Sequence, residues 1–189
     1  IFDLTLSFLF IIFTFPIWLI ISIAIKLDSE GTIFYRVLRV GKEGKKFKIY
    51  KFRTMTKDAE KKGPAITGRD DKRITRVGKI LRKYKLDEMP QLINVIKGEM
   101  SIIGPRPEDP KYVKHYSERQ KVVLNVRPGM ASPAFIEYRH EEELLKKVDG
   151  SDLDTVYKQE ILPEKLDMDL DYINNQSLFY DLKIFIQAA

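Results

Sequence analysis

An uncharged apolar run near the start of the chain limits its fold more than any other feature. Residues 4–25 hold 22 positions without Asp, Glu, Lys or Arg. A straight helix of that length extends roughly 33 Å, which is enough to cross the hydrocarbon core of a bilayer. A secretory signal peptide fits poorly, because no basic residue precedes the run and no small-residue cleavage site follows it. The run therefore predicts a membrane segment.

Pro16 lies in the middle of this run and leaves two topologies open. Proline removes one backbone N–H and clashes with the preceding turn, so it kinks or ends a helix. The segment is then either a kinked helix that spans the membrane or a re-entrant hairpin that enters and leaves on one face. Physical reasoning alone favours the spanning helix, since membranes tolerate kinks. In both cases the basic residues that begin at Lys26 place the rest of the chain on the cytoplasmic side.

The positive charge of the chain is concentrated in its middle. Residues 26–110 carry 22 Lys and Arg against 12 Asp and Glu, whereas residues 111–189 carry 11 against 14. Such a segment suits phospholipid headgroups or nucleotide phosphates, or else forms a solvated basic surface. Aromatic and basic residues do not interleave in a recognised nucleic-acid motif, so we expect no nucleic acid partner. The absence of cysteine excludes disulfides, thiolate metal sites and a cysteine nucleophile.

The residues after 26 predict a single mixed α/β domain that is rich in helix and has a small sheet. Apolar and polar residues alternate on both sides of residues 41–44, which predicts a β-hairpin. Residues 57–73 are polar and predict a loop. Residues 73–86 predict an amphipathic helix, which either packs on the core or lies on an anionic membrane surface. Shorter or later helices are predicted over residues 87–98, 109–126, 138–148, 163–175 and 177–189.

Two adjacent acids, Asp87 and Glu88, follow a basic stretch in RKYKLDEMP. One interpretation is structural: Leu86 or Asp87 caps the helix that ends near Gly98, and Glu88 favours its first turn through the macrodipole. The other interpretation is chemical. The neighbouring cations would keep Asp87 ionised and attract a phosphate. A carboxylate that attacks phosphorus needs this combination, usually with a divalent metal ion.

Three further residues indicate a phosphate ligand. Lys51 and Arg53 lie on the same face of the strand predicted at KFRTM, and Arg106 stands between two prolines in GPRP. The prolines fix the backbone, so the guanidinium is positioned at a low cost in conformational entropy. Each signal is weak alone, but together with a membrane segment they indicate chemistry on phosphates at a membrane surface.

The stretches KIYKFRTM, LRKYKLDEMPQLINVIKGEMSIIGPRP and VRPGM resemble the bacterial sugar transferase family, in particular its small monotopic polyprenyl-phosphate phosphoglycosyl transferases. The resemblance runs from the apolar segment to DLKI near the C-terminus. It implies transfer of a phospho-sugar from a nucleotide diphosphate sugar, usually a UDP-sugar, to polyprenyl (undecaprenyl) phosphate, with Mg²⁺ as cofactor. The implied location is the cytoplasmic face of the bacterial inner membrane, and the implied role is the first membrane step of a glycoconjugate pathway.

The resemblance also implies roles for individual residues. Asp87 matches the nucleophile that forms a covalent phospho-sugar intermediate and releases UMP. Glu88 matches its partner, which takes part in metal binding and in activating the second step. Arg82 and Arg106 match contacts to phosphate and nucleotide, and Lys51 matches the lysine of the family's strand. Asp169, Tyr172 and Asp181 match a C-terminal pattern for which we expect a structural role.

The membrane segment of the family is a re-entrant helix broken at a proline, which Pro16 matches. The resemblance therefore reverses the preference for a spanning helix. It implies a membrane hairpin over residues 1–26 and a cytosolic, membrane-associated catalytic domain over residues 27–189. Phe15 stands where relatives commonly have serine, so we expect the hydroxyl of Thr14 to satisfy backbone groups freed at the break. After RPG the chain departs from the common family pattern, which leaves the sugar open.

Two other classes of protein stay open at this point. One is a membrane-anchored basic binding module, and the other is a scaffold that has lost catalysis. A binding module should tolerate the change of Asp87 to Asn, whereas a transferase should lose turnover. The sequence does not give the oligomeric state, and a homodimer is among the alternatives.

Overall fold

A computed structural model describes residues 2–59, 71–139 and 153–188 of the chain. Packing divides the chain into two compact units, one of Ile1–Val37 and Ile49–Lys97, the other of Leu38–Lys48 and Gly98–Ala189. The predicted fold class, rich in helix with a small sheet, is confirmed. The functional division into residues 1–26 and 27–189 stays a prediction.

The described helices and strands are α1 (Phe2–Asp28), β1 (Phe34–Val40), β2 (Lys46–Phe52), α2 (Arg76–Lys83), α3 (Leu92–Ile96), β3 (Ser101–Ile103), α4 (Pro110–Val113), β4 (Gly129–Ala131), α5 (Pro133–Glu137), α6 (Leu153–Val156), α7 (Leu162–Asn175) and α8 (Leu178–Ala188). Segments of 3₁₀-helix cover Lys42–Gly44, Leu86–Gln91 and Gln120–Asn125, and a π-helical turn covers Tyr157–Ile161.

The predicted hairpin is confirmed. Strands β1 and β2 form a two-stranded sheet and are joined by the short 3₁₀ turn. Glu43 and Gly44 both have a positive φ in this turn, at 59° and 71°. Positive φ at consecutive turn residues reverses the chain within a few residues, which is why the polar GKEG stretch separates two strands so sharply.

Helix α1 is continuous through Pro16 and does not end there, so a re-entrant course would require a bend within the helix rather than an interruption of it. A proline costs the helix one hydrogen bond, but the other backbone groups of an apolar segment have no better partners than those inside the helix. The hydroxyl of Thr14 donates to the carbonyl of Phe10 at 2.6 Å. That carbonyl lies one turn before Thr14, whereas the carbonyl deprived of its donor by Pro16 belongs to Ile12, so the expected role of Thr14 is corrected. The re-entrant topology stays a prediction.

Helix α1 is long and apolar enough to cross a membrane, by length and composition only. Its later half nevertheless packs on the rest of the first unit. Trp18 is buried and meets Phe34 and Phe52 edge-on, with ring centroids 6.5 and 5.5 Å away, and Ile21 and Ile25 are buried on the same side. The helix therefore belongs to the core of the unit that holds the acid pair, while most of its other apolar side chains remain exposed.

The helix predicted over residues 73–86 forms as the shorter α2, which starts after Thr75. The Thr75 hydroxyl accepts from the N–H of Gly78 at 3.0 Å, an N-cap. Leu81 is buried, which supports packing on the core, whereas Ile80 and Tyr84 remain more than half exposed. The alternative of contact with a membrane surface stays a prediction. Core packing therefore uses only part of the predicted apolar stripe.

In the second unit, β3 and β4 form a parallel pair that the sequence did not reveal. Ser101 pairs with Gly129 and Ile103 with Ala131. Ile103 and Ala131 are buried together with Tyr172 of α7 and Ile184 of α8. Helices α7 and α8 confirm the prediction for the C-terminal region, and the hydroxyl of Tyr172 donates to Asp181 at 2.7 Å across them. The structural role expected for these two residues is thus supported.

The helix predicted over residues 109–126 is not continuous. Residues 109–126 form only the single turn of α4 and, after a gap, a 3₁₀ segment, rather than one helix. The helix predicted over residues 138–148 and the loop predicted over residues 57–73 lie largely outside the described residues.

Candidate active site

The acid pair lies in a 3₁₀ segment that follows directly on α2. The backbone reverses at Lys85, which has a left-handed conformation with φ 55°, and Asp87 and Glu88 come next, each only 8% exposed. The predicted helix over residues 87–98 is therefore two segments, a 3₁₀ turn and then α3. Its end at Gly98 is confirmed by a φ of 75°. The capping position belongs to Lys85, so the prediction that Leu86 or Asp87 caps the helix is wrong.

Glu88 forms a close ion pair with the strand residue Lys51. The Lys51 ammonium lies 2.8 Å from Oε1 of Glu88, and both side chains are largely buried. Strand β2 places Lys51 towards the acid pair, and the 3₁₀ turn presents Glu88 to it. The structure thus brings together two of the predicted site residues that lie 37 positions apart in the chain.

Asp87 has a buried carboxylate with free acceptor capacity. Within the part of the chain that the structure describes, its Oδ1 makes no hydrogen bond. Burial raises the pKa of Asp87, while the cations Lys51, Arg82 and Lys85 lower it and the neighbouring Glu88 raises it. Burial is the largest of these influences, so the pKa of Asp87 is raised despite the cations, and their expected role in keeping this carboxyl ionised stays a prediction. The carboxylate instead lies in an environment that favours an additional cation beside it.

Arg82 projects from the last turn of α2 towards the same strand. Its Nε donates to the hydroxyl of Thr54 at 3.0 Å, and its charge lowers the pKa of Asp87. Thr54 also accepts the N–H of Thr75 through its carbonyl at 3.0 Å, so the strand end holds α2 at its start and near its end. Arg82 is therefore fixed beside the acid pair, as the sequence predicted.

Arg53 is placed differently from the prediction. Its guanidinium donates to the carbonyls of Ser29, Glu30 and Thr32 and to the hydroxyl of Ser29, and its side chain is buried. Burial lowers the pKa of Arg53 while the charge of Asp28 raises it. Because hydrogen bonds to this loop engage four of its five N–H donors, Arg53 is assigned to the structure of the site and is left out of the proposed substrate contacts.

Arg106 belongs to the second unit. Its backbone N–H donates to Oδ2 of Asp169 at 3.1 Å, and its guanidinium lies over the ring of Phe135, 5.1 Å from the centroid. Burial raises the pKa of Asp169 to about 7, against the opposing influence of the Arg106 N–H, the Ser132 hydroxyl and the charges of Lys165 and Arg106. Sequence reasoning treated Asp169 only as part of a structural pattern and missed its contact with the Arg106 loop.

The residues at the acid pair suit a magnesium ion that also contacts substrate. Groups of three or more His, Asp or Glu side chains able to hold a metal do not occur in residues 2–59, 71–139 and 153–188. Mg²⁺ needs no such cage, because it is commonly held by one or two carboxylates together with substrate phosphates and water. The unpaired oxygen of Asp87 and the adjacent Glu88 supply that number of ligands.

Comparison with known proteins identifies the family of this chain. The family model for bacterial sugar transferase matches residues 1–189. The protein named uncharacterized sugar transferase EpsL, from Bacillus subtilis, is 35% identical over 183 residues, which cover 97% of this chain and 81% of the relative. UDP-glucose:undecaprenyl-phosphate glucose-1-phosphate transferase of Escherichia coli is 33% identical over 186 residues.

A third relative is UDP-N-acetylgalactosamine-undecaprenyl-phosphate N-acetylgalactosaminephosphotransferase of Aeromonas hydrophila, which is 35% identical over 176 residues. The chain covers 38% of this relative and 37% of the Escherichia coli protein, so it spans well under half of both. The match to the family model and the similarity to EpsL nevertheless extend over nearly the whole chain. The protein therefore belongs to the bacterial sugar transferase family.

Proposed function

We propose that the protein transfers a phospho-sugar from a UDP-sugar to undecaprenyl phosphate through a covalent intermediate on Asp87. The observation that carries this proposal is the buried carboxylate of Asp87, which has an unpaired oxygen and is surrounded by the cations Lys51, Arg82 and Lys85. A nucleophilic carboxylate needs a free oxygen, and an anionic electrophile needs cations around it. The names of the relatives, which combine UDP-sugars with undecaprenyl phosphate, support the substrate class.

In the first proposed step, a carboxylate oxygen of Asp87 attacks the phosphorus that bears the sugar. An acyl phosphate bond forms between Asp87 and this phosphorus, the bond from the phosphorus to the bridging oxygen of the diphosphate breaks, and UMP leaves with that oxygen and the electron pair. In the second step, Glu88 accepts a proton from the acceptor phosphate, whose oxygen attacks the same phosphorus. The acyl phosphate bond breaks, the Asp87 carboxylate is regenerated, and undecaprenyl diphosphosugar is the product.

The remaining site residues orient these groups. Lys51 holds the carboxylate of Glu88 at 2.8 Å, which fixes the proposed base beside the nucleophile. Arg82, fixed by Thr54, contributes a positive charge near Asp87 where the donor phosphates would carry negative charge. We assign Arg106 to a nucleotide or phosphate contact, in keeping with its place between two prolines.

We propose Mg²⁺ as the cofactor, held by Asp87 and Glu88. When bound with the donor phosphates, the ion would neutralise charge that develops on the leaving phosphate. A cation at this place would also lower the raised pKa of Asp87.

The proposed location is the cytoplasmic face of the bacterial inner membrane. Helix α1 supplies an apolar segment of sufficient length, and the basic residues start at its end with Lys26. The exposed side chains of Ile80 on α2 and of Tyr84, which follows its last residue, lie next to Lys79 and Lys83 and suit the headgroup region of an anionic bilayer. A re-entrant course of α1 remains part of the proposal, with phospholipid as a partner.

Intact-mass spectrometry tests the function directly. The purified protein is incubated with Mg²⁺ and a panel of UDP-sugars in the absence of the lipid acceptor. The expected result is a mass gain equal to one phospho-sugar and release of an equal amount of UMP, followed by loss of the added mass when undecaprenyl phosphate is supplied. The sugar that produces the gain identifies the donor.

Two variants make this test specific. Asp87→Asn removes the nucleophile with little change in shape and should give no adduct. Asp167→Asn makes the same exchange at an exposed acid of the second unit and should leave the adduct unchanged. An adduct that persists in Asp87→Asn would show that the nucleophile is misassigned. Absence of both adduct and turnover with every donor in the wild type would favour a binding or scaffold protein.

A further inference from the structure

The loop that follows α1 is wrapped around a single buried guanidinium. Nε of Arg53 donates to the Thr32 carbonyl at 2.6 Å, Nη1 to the Glu30 carbonyl at 2.6 Å and the Ser29 hydroxyl at 2.9 Å, and Nη2 to the Ser29 carbonyl at 2.8 Å. Three carbonyls that converge on one point concentrate partial negative charge, which a buried cation offsets through charge-assisted hydrogen bonds. We call this arrangement of Arg53 and residues 29–32 the clasp.

The loop is shaped to fit the guanidinium closely. Gly31 has a φ of 125°, a conformation that side chains rarely adopt, and a Cβ atom there would lie 3.3 Å from Cζ of Arg53. The carbonyl of Gly31 accepts from Nζ of Lys26, on the last turn of α1, at 2.8 Å. The clasp is therefore continuous with the end of the apolar helix.

The strand end that carries Arg53 also carries the contacts of the acid pair. Lys51, two residues earlier, pairs with Glu88, and Thr54, the next residue, accepts from Arg82. A second tie runs through the last residue of α1, since Asp28 accepts the N–H of Val77 at the start of α2 at 3.0 Å. Residues 51–54 thus connect the end of α1 to the acid pair across four positions of chain.

From this geometry we propose that Arg53 is a positioning residue that fixes the apolar helix α1 relative to the catalytic acid pair. The proposal rests on the proposed function, in which the donor arrives from water and the acceptor is held in the bilayer. The membrane sets the depth of the acceptor phosphate in the bilayer. The depth of Asp87 is set by how α1 is joined to the end of strand β2. A looser clasp should therefore impair transfer to the lipid far more than attack on the soluble donor.

The kinetic test separates the two half-reactions in the full-length protein reconstituted in vesicles. Arg53→Lys keeps a positive charge but cannot satisfy three carbonyls in a planar fork. We expect adduct formation from the UDP-sugar within twofold of the wild type and transfer to undecaprenyl phosphate at least tenfold slower. Gly31→Ala, which retains Arg53 but crowds it, should show the same selective loss. Arg39→Lys makes the same exchange on β1 and should change neither step. Equal losses in both half-reactions would overturn the proposal.

A structural measurement tests the clasp without any activity. The chain has no cysteine, so spin labels can be placed at Ile20→Cys on α1 and Lys83→Cys on α2, both exposed positions. Pulsed electron spin resonance should show a distance distribution at least twofold wider when Arg53→Lys or Gly31→Ala is added. An unchanged distribution in both variants would overturn the proposal. A widened distribution in a protein that forms no adduct would support the clasp and reject the proposed function.

Discussion

The ammonium of Lys51 and the carboxylate of Glu88 lie 2.8 Å apart and join a strand to the turn that bears the acid pair. Exposed pairs of this kind contribute little to stability, but this one is largely shielded from water, with side-chain exposures of 25% and 11%. Removing one partner of a shielded pair leaves an uncompensated charge. The effect of replacing either residue on the free energy of unfolding should therefore depend on whether the other is present.

The Lys51→Met variant should therefore lose stability, whereas the double variant with Glu88→Gln should recover part of it. We expect a loss of about 1–3 kcal/mol in the single variant, which corresponds to a fall in the thermal midpoint of roughly 2–12 °C for a chain of this size. Thermal unfolding in detergent measures the change. Strictly additive effects of the two substitutions would show that the ion pair contributes nothing measurable.

The raised pKa of Asp87 predicts how adduct formation depends on pH. A nucleophilic carboxylate must be ionised, so the rate of adduct formation should rise with pH through an apparent pKa above the ordinary aspartate value of 3.8. Lys85→Met removes a cation that lowers this pKa, and it should move the rise to higher pH. Rates from quenched-flow mass spectrometry at a fixed Mg²⁺ concentration provide the profile. Lys79→Met, on the exposed side of α2, is the matched control, and an identical shift in that variant would contradict the assignment.

The buried carboxyl of Asp169 predicts a stability that falls as pH rises. Its pKa is about 7 in the folded chain against 3.8 for an ordinary aspartate, so between these values the folded state binds more protons than the unfolded state. The contribution is complete below pH 3.8 and is lost as the pH rises through 7, and the part lost between pH 5 and pH 8 is roughly 2–3 kcal/mol. Asp169→Asn cannot titrate, so its stability relative to the wild type should increase over this range. Thermal midpoints at both pH values test this, and a constant difference would contradict it.

Gly78 predicts a reversal of the usual effect of alanine in a helix. At an open helical position, glycine to alanine stabilises by up to about 1 kcal/mol. A Cβ atom at Gly78 would lie 2.1 Å from the carbonyl oxygen of Thr54, however, so α2 must move away from the strand. We expect Gly78→Ala to destabilise by about 1–3 kcal/mol and to slow adduct formation, because Arg82 moves with the helix. Lys79→Ala, the next residue in α2, should be nearly neutral in both assays.

Local chemistry in the sequence was enough to predict the hairpin, the helices of the C-terminal region and the acid pair. Apolar and polar residues alternate on both sides of residues 41–44, which predicts two strands joined by a tight turn. The spacing of the apolar residues in α7 and α8 predicts helices. These features depend on neighbours in the chain, and for that reason they needed no knowledge of the fold.

Features that depend on distant partners were missed or misread. Each of β3 and β4 has three residues, too few to show a period, and their pairing appears only in the folded chain. Arg53 was interpreted as a phosphate ligand from its charge and its face of the strand, but its partners lie 21 to 24 positions earlier. Asp169 contacts the backbone of Arg106 from 63 positions away, a relationship that spacing could not indicate.

The left-handed backbone of Lys85 has a consequence for any redesign of the site. For a residue with a side chain, this conformation costs roughly 1 kcal/mol or more of folding free energy, whereas glycine would adopt it without that strain. Yet glycine would also delete a charge that lowers the pKa of Asp87. Conformational ease and ionisation of the proposed nucleophile thus compete at one position, two residues before Asp87. Selection for thermal stability alone would therefore favour glycine at position 85, although glycine there removes a charge that helps to ionise Asp87.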